Sequence, residues 1–146
     1  MARKYAQGKF EPKNPEKYIG NKMPTYRSGW EFTFMKFCDE NPSVIQWASE
    51  AIKIPYRNPL TGKQTIYVPD FFIAYGDKSG NQKVELIEVK PANQTLKEKV
   101  GRNKTNQAQW VVNQAKWEAA RSWCKQKKIT FRIITENEIF HQGRKR

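Results

Sequence analysis

Apolar residues return along this chain at two different spacings, and each switch between them marks a new element. Trp30, Phe34, Phe37 and Cys38 fall at the three- and four-residue steps of one helix face. Ser28-Gly29-Trp30-Glu31 has the spacing of a capping box, so this helix begins at Ser28, and Asn41-Pro42 ends it. Extended, β-rich runs follow. Val44-Ile45-Gln46-Trp47 leads to Ala51–Tyr56, a strand interrupted by a bend and stopped by Pro55. Asn58–Lys63 is a turn, and Thr65–Tyr75 is a strand broken at its middle by Pro69-Asp70. Asp77–Asn81 is a second turn, and Lys83–Lys90 is a third strand closed by Pro91. Residues 92–106 are polar and basic and read as a loop around Gly101. The helical period then returns in Trp110, Val111, Gln114, Trp117, Ala120, Arg121 and Cys124, predicting a long helix to about Gln126. Ile129–Ile134 is a last strand, with Thr135–Glu138 capping a short closing turn. The first 27 residues scatter Gly8, Pro12, Pro15, Gly20 and Pro24 among lysines and predict an extended basic arm. The order helix, three strands, helix, strand predicts one α/β (α+β) domain with a central mixed β-sheet flanked by helices. Its expected limits are 28–140, with the arm at 1–27 and a basic tail at 141–146.

Composition agrees with a packed domain and adds a partner. Aromatic residues make up 13% of the 146, five of them Trp, which is enough for a core despite 28% charged residues. Lys and Arg number 27 against 14 Asp and Glu, a formal charge of +13 that points to a polyanion, either nucleic acid or an acidic membrane face. That charge is uneven. Seven basic and two acidic residues precede residue 30, thirteen and four follow residue 90, and seven and eight lie between. Two basic flanks around a neutral centre suit an enzyme that binds a polyanion and holds a cation on carboxylates; solvated ends around a neutral core give the same pattern. No apolar run approaches the roughly 20 residues of a membrane span, and Met1-Ala2-Arg3-Lys4 opens no secretion signal, so the expectation is a cytosolic protein. Cys38 and Cys124 lack metal-ligand spacing and read as free thiols. His141 is the single histidine, which excludes multi-histidine zinc sites and makes a histidine triad implausible. Any catalysis must rest on carboxylates and lysine.

Two strands carry charges where apolar residues are expected. Val68-Pro69-Asp70-Phe71-Phe72 holds a carboxylate inside an apolar run, and Leu86-Ile87-Glu88-Val89-Lys90-Pro91 repeats the pattern with Glu88 and Lys90 on one face. If the two strands form a hairpin, Asp70 and Glu88 stand side by side with Lys90 beyond. Carboxylates that close raise each other's pKa unless a cation neutralises them, and Mg²⁺ favours one or two carboxylates plus water and phosphate oxygens. The set suits metal-assisted hydrolysis of a phosphodiester, with lysine offsetting developing charge. A bulge at Asp70 and a solvated Glu88–Lys90 ion pair form the bland reading. Pro-Asp, one hairpin of chain, and Glu-Val-Lys together favour the chemical one.

Pro69-Asp70 followed by Glu88-Val89-Lys90 resembles the signature of the PD-(D/E)XK nuclease superfamily in type and spacing. The helix bearing Glu31 and the run Tyr67-Val68-Pro69-Asp70-Phe71 are similar to its branch of TnsA-like transposon nucleases and Holliday-junction resolvases. With Pro12–Tyr18 and Arg132–Glu136 added, the chain resembles the head completion nucleases of T-even-like tailed phages. The resemblance implies a nuclease domain around a mixed sheet and Mg²⁺-dependent cleavage of DNA leaving 5′-phosphates, with Mn²⁺ able to substitute. It implies that Asp70, Glu88 and the Val89 carbonyl hold the metal, that Lys90 positions or activates water, and that Glu31 adds a helix carboxylate. Glu31 is equally the third helical position of the capping box with Ser28. Lys97, Lys99, Arg102 and Lys104 are candidates to grip phosphates, and Lys116, with Gln114, is a candidate polar residue on the second helix. Trp110 and Trp117 read as core. The implied role is trimming DNA at a filled capsid before tail joining, in the host cytoplasm or the virion, with DNA and the phage portal or head proteins as partners. Two alternatives stay open: a resolvase or repair nuclease on branched DNA, for which homodimer formation would matter, and a non-catalytic DNA-binding head protein.

Overall fold

The computed structural model describes residues 7–96 and 101–138; Lys97, Lys99 and the tail 141–146 lie outside the described residues. Helix α1 spans Gly29–Glu40. Its start follows from the cap: Ser28 Oγ accepts from the Glu31 N–H at 3.1 Å, satisfying one of the orphan donors of the first turn. Phe34, Met35 and Cys38 are buried from it, and each apolar side chain taken fully from water contributes about 1.5–3 kcal/mol. Four strands form the central sheet: β3 (Val44–Ser49), β6 (Phe71–Gly76), β7 (Gln82–Val89) and β8 (Thr130–Ile134), in the order β3-β6-β7-β8. Helix α2, Lys104–Lys127, connects β7 to β8, which run parallel as a long crossover requires; the other two pairs are antiparallel. The expected mixed sheet between helices is present.

The period of two along β7 sorts the layers. Ile87 and Val89 face α1 with Phe71, Ile73, Trp47 and Ile134, whereas Leu86 faces α2 with Trp117, Ala120 and Cys124. Cys38 and Cys124 are free and buried in these separate clusters.

Three expectations need correction. First, Ala51–Tyr56 and Thr65–Tyr67 do not extend the sheet. Strands β4 (Ile54–Arg57) and β5 (Gln64–Tyr67) pair only with each other as a ribbon, whose Ile54, Tyr56 and Tyr67 pack beside α2. Pro69 has no N–H for a ladder, so the apolar run of 65–75 splits there into two strands of two different sheets. Second, α2 begins at Lys104, inside the stretch read as loop, with Asn103 Oδ1 accepting from the Asn106 N–H at 3.0 Å. Its first turns are polar and leave no apolar period to read. Third, the described part of the predicted arm is packed on the domain. Strands β1 (Gly8–Lys9) and β2 (Thr25–Tyr26) pair, Phe10 is buried in the α1 cluster, and the Ile19 N–H bonds to the Trp47 carbonyl of β3 at 2.9 Å. The proline-rich sequence is no obstacle, because side chains and turns satisfy its backbone in place of a long ladder.

Candidate active site

The hairpin of β6 and β7 puts the two predicted carboxylates together. Asp77 Oδ1 accepts from the Ser79 and Asn81 N–H groups in its turn, and Gly80 takes the positive φ of 85° that the turn needs. The resulting register pairs Phe71 with Ile87, so the next step outward sets Asp70 against Glu88. Asp70 Oδ2 accepts from the Val89 N–H at 2.8 Å, which ties the carboxylate to β7. Glu88 is 7% exposed on the α2 side. Burial raises both carboxyls above their ordinary range, and for Asp70 the charge of Glu88 raises it further.

Glu88 is held at both oxygens. The Tyr67 hydroxyl donates to Oε1 at 2.6 Å, and the Lys90 ammonium lies 3.5 Å from Oε2. Both contacts favour the ionised carboxylate and partly offset its burial. Lys116 stands close by: its Nζ lies 5.7 Å from the centre of the Tyr67 ring, and its charge also favours ionised Glu88. The Trp117 indole N–H lies beside the Tyr67 hydroxyl yet has no hydrogen-bond partner among the described residues. Tyr67 was not foreseen as a site residue. Its signal was its place three residues before Asp70, at the end of the strand that delivers the Pro-Asp turn.

Glu31 lies in the first turn of α1, close to Asp70 and Lys90. Ser28 Oγ accepts from its N–H, and its Oε1 accepts from the Arg27 N–H at 3.0 Å, one residue before the position a capping box would use. The same carboxylate is near enough to Asp70 to raise that carboxyl, and near enough to Lys90 to feel its charge. Burial is the largest cause of Glu31's own upward shift. Glu50 also borders the site unannounced: its N–H bonds to the Asp70 carbonyl at 2.9 Å, and its side chain pairs with Arg27. A φ of 52° at Glu50 ends β3 and turns the chain away from the sheet.

Of the phosphate-gripping candidates, Arg102 and Lys104 are exposed at the start of α2, while Lys97 and Lys99 lie outside the described residues. Gln114 is half-buried on α2. Trp117 belongs to the core as expected, but Trp110 is half-buried and belongs to neither core cluster. Among the described residues, no three Asp, Glu, His or Cys side chains converge as a metal-holding group. Mg²⁺ needs no such cage, since one or two carboxylates with water and phosphate oxygens suffice, and the paired Asp70 and Glu88 fit that requirement.

A mixed sheet between two helices, with the Pro-Asp and Glu-Val-Lys elements meeting at one hairpin mouth, defines a nuclease of the PD-(D/E)XK type. Residues 41–136 match the family model described as TnsA-like endonuclease N terminal, and the chain belongs to that endonuclease family. It is also 38% identical over 142 residues to the head completion nuclease of Enterobacteria phage T4, an alignment covering 90% of this chain and 92% of that protein. No helix among the described residues is long and apolar enough to cross a membrane.

Proposed function

We propose that this protein is a Mg²⁺-dependent DNA endonuclease that trims DNA at the filled head of a tailed phage before the tail is joined. The observation that carries the catalytic part is the hairpin register, which sets Asp70 against Glu88 and leaves Lys90 on the same face as Glu88. The biological part rests on the similarity to the phage T4 head completion nuclease over nearly the whole of both chains. The host cytoplasm during assembly, and then the virion, are the locations this role requires, with DNA and the portal or head proteins as partners.

In this reading Asp70, Glu88 and the Val89 carbonyl hold the divalent ion. When bound, that ion polarises the phosphodiester and lowers the pKa of the attacking water. The protein's own groups do the rest. The Val89 N–H and the Tyr67 hydroxyl fix the two carboxylates before substrate arrives, so little reorganisation accompanies the reaction. Lys90 orients the water or neutralises charge growing on the phosphate. Glu31 adds a third negative group at the rim. Arg102, Lys104 and Lys116, with Lys97 and Lys99, supply contacts to the DNA backbone.

Incubation of the protein with plasmid DNA, with Mg²⁺ and then with EDTA, tests the activity. Nicking should require the ion, with Mn²⁺ substituting, and Asp70→Asn or Glu88→Gln should abolish it while circular dichroism and DNA binding persist. Undiminished cleavage by either variant would remove these carboxylates from the chemistry. The role is tested in the phage: loss of the protein, or Asp70→Asn alone, should leave packed heads that fail to accept tails. Normal infectious particles from the Asp70→Asn phage would show that trimming is not its function.

A further inference from the structure

Beside the catalytic hairpin, between the 3₁₀ turn at Ala92–Gln94 and the first half of α2, lies a cleft of about 430 Å³ that begins at Lys90. Five carboxamides, Asn93, Gln94, Asn106, Gln109 and Asn113, line it together with Lys90 and the ring of Trp110, and no carboxylate among the described residues does. This chemistry is selective. A phosphate pocket would gather cations, and an apolar pocket would gather aliphatic side chains. Carboxamides instead offer uncharged donors and acceptors in pairs, the complement of a nucleobase edge. The volume falls within the roughly 300–1,000 Å³ of small-molecule sites.

Two residues of the cleft suit such a ligand. Trp110 is half-buried yet packs in neither core cluster, so its large ring is left available for stacking. Asn113 is 2% exposed, and its Oδ1 accepts from Gln109 Nε2 at 3.0 Å. That hydrogen bond sets the two carboxamides side by side on the cleft wall. A planar, polar-edged ligand fits both features. Lys90 connects the cleft to the carboxylates, because it pairs with Glu88 and also lines the cleft.

We propose that the cleft receives one unpaired nucleobase adjoining the scissile phosphate, and that the protein therefore acts on DNA containing unpaired nucleotides. The proposal rests on the endonuclease reading, which supplies the scissile phosphate at Lys90. A base within a duplex has its edge paired and its faces stacked, so only a single-stranded or extruded base can enter. Trp110 then stacks on its face while the amides of Asn113 and Gln109 meet its edge.

The test uses the full-length protein in EDTA, where no cleavage occurs, and two single-stranded probes of equal length and charge. One is an oligothymidylate; the other has abasic residues in place of thymidines. The thymidylate should bind about tenfold more tightly, the discrimination expected of a single stacked base. Trp110→Ala should lower thymidylate affinity to that of the abasic probe and leave the abasic affinity unchanged, while Trp110→Phe should keep most of the discrimination. Equal affinities for the two probes, or discrimination that survives Trp110→Ala, would overturn the proposal. Plasmid nicking in Mg²⁺ separates the two readings. Nicking without base discrimination refutes the cleft alone, and discrimination without nicking refutes the catalytic role while the base site stands.

Discussion

Asp70 and Glu88 are two acids placed where burial and each other oppose their ionisation, and this has a cost in the metal-free protein. Both carboxyls titrate above their ordinary range in the fold, Asp70 at about 8. The folded state therefore keeps protons that the unfolded chain has already released, and stability falls as pH rises from about 4, the ordinary carboxylate value, through these raised values. Asp70→Asn removes one of the charges while its side-chain oxygen can still accept from the Val89 N–H. Without divalent ions, the variant should melt roughly 5 °C higher than wild type at pH 8 and should lose that advantage near pH 4. Adding Mg²⁺ should raise the wild-type midpoint and not that of the variant. A variant no more stable than wild type at pH 8 would show that the pair is not under electrostatic strain. Lys90 pairs with Glu88 at the same place, and its proposed role has its own test. Lys90→Ala should reduce the single-turnover cleavage rate far more than DNA affinity, because one phosphate contact is a small part of a basic surface. A loss confined to affinity would assign Lys90 to binding.

At the level of elements, one buried carboxylate is among the anchors of the N-terminal segment. Asp39, 1% exposed near the end of α1, accepts from the Lys13 and Asn14 N–H groups at 2.9 Å each, and its carbonyl accepts from Asn14 Nδ2 and Lys17 Nζ. Above the segment, Tyr18 stacks edge-on against Trp47 with ring centres 4.7 Å apart. Asp39→Ala leaves two backbone donors unpaired and should cost about 2–4 kcal/mol in chemical denaturation, with faster proteolysis between residues 8 and 26. Deleting residues 1–22 removes Phe10 and Tyr18 from the core and should unfold the domain outright. Residues 8–26 thus belong to the domain's foundation, and any docking partner would meet them as a folded surface. The ribbon of β4 and β5 serves the site in a comparable way. By packing Ile54, Tyr56 and Tyr67 beside α2, it brings the Tyr67 hydroxyl to Glu88.

Across the whole molecule, a charge of +13 sits around a site that gathers negative groups. A basic surface of this kind draws in a polyanion, and carboxylates at its centre repel the phosphates nearest them unless a cation intervenes. Binding to the metal-free protein should weaken steeply with salt and show little dependence on duplex sequence. Replacing Arg102 and Lys104 by Gln should flatten the plot of log affinity against log salt by about one per charge removed. An unchanged slope would place the start of α2 away from the DNA.

The sequence by itself determined the parts whose causes are local. Periods of 3.6 and 2 marked α1, the second half of α2 and the strands of the sheet. The Ser28–Glu31 cap marked where α1 starts, and the turn at Asp77–Asn81 marked a hairpin in which Asp70 could stand beside Glu88. Tertiary structure decided whatever depends on contacts between distant segments. Asp39 holds Lys13 across 26 residues and Tyr67 reaches Glu88 across 21, separations that leave no mark in a local pattern. Glu31 borders Asp70 only because the start of α1 meets the hairpin mouth. The polar first turns of α2 looked like loop because the partners of that face are a cleft and solvent, and Trp110 looked like core because periodicity counts an apolar ring without showing what packs against it. Local chemistry sets which elements form; the packing of those elements sets which side chains meet, and the site is made of such meetings.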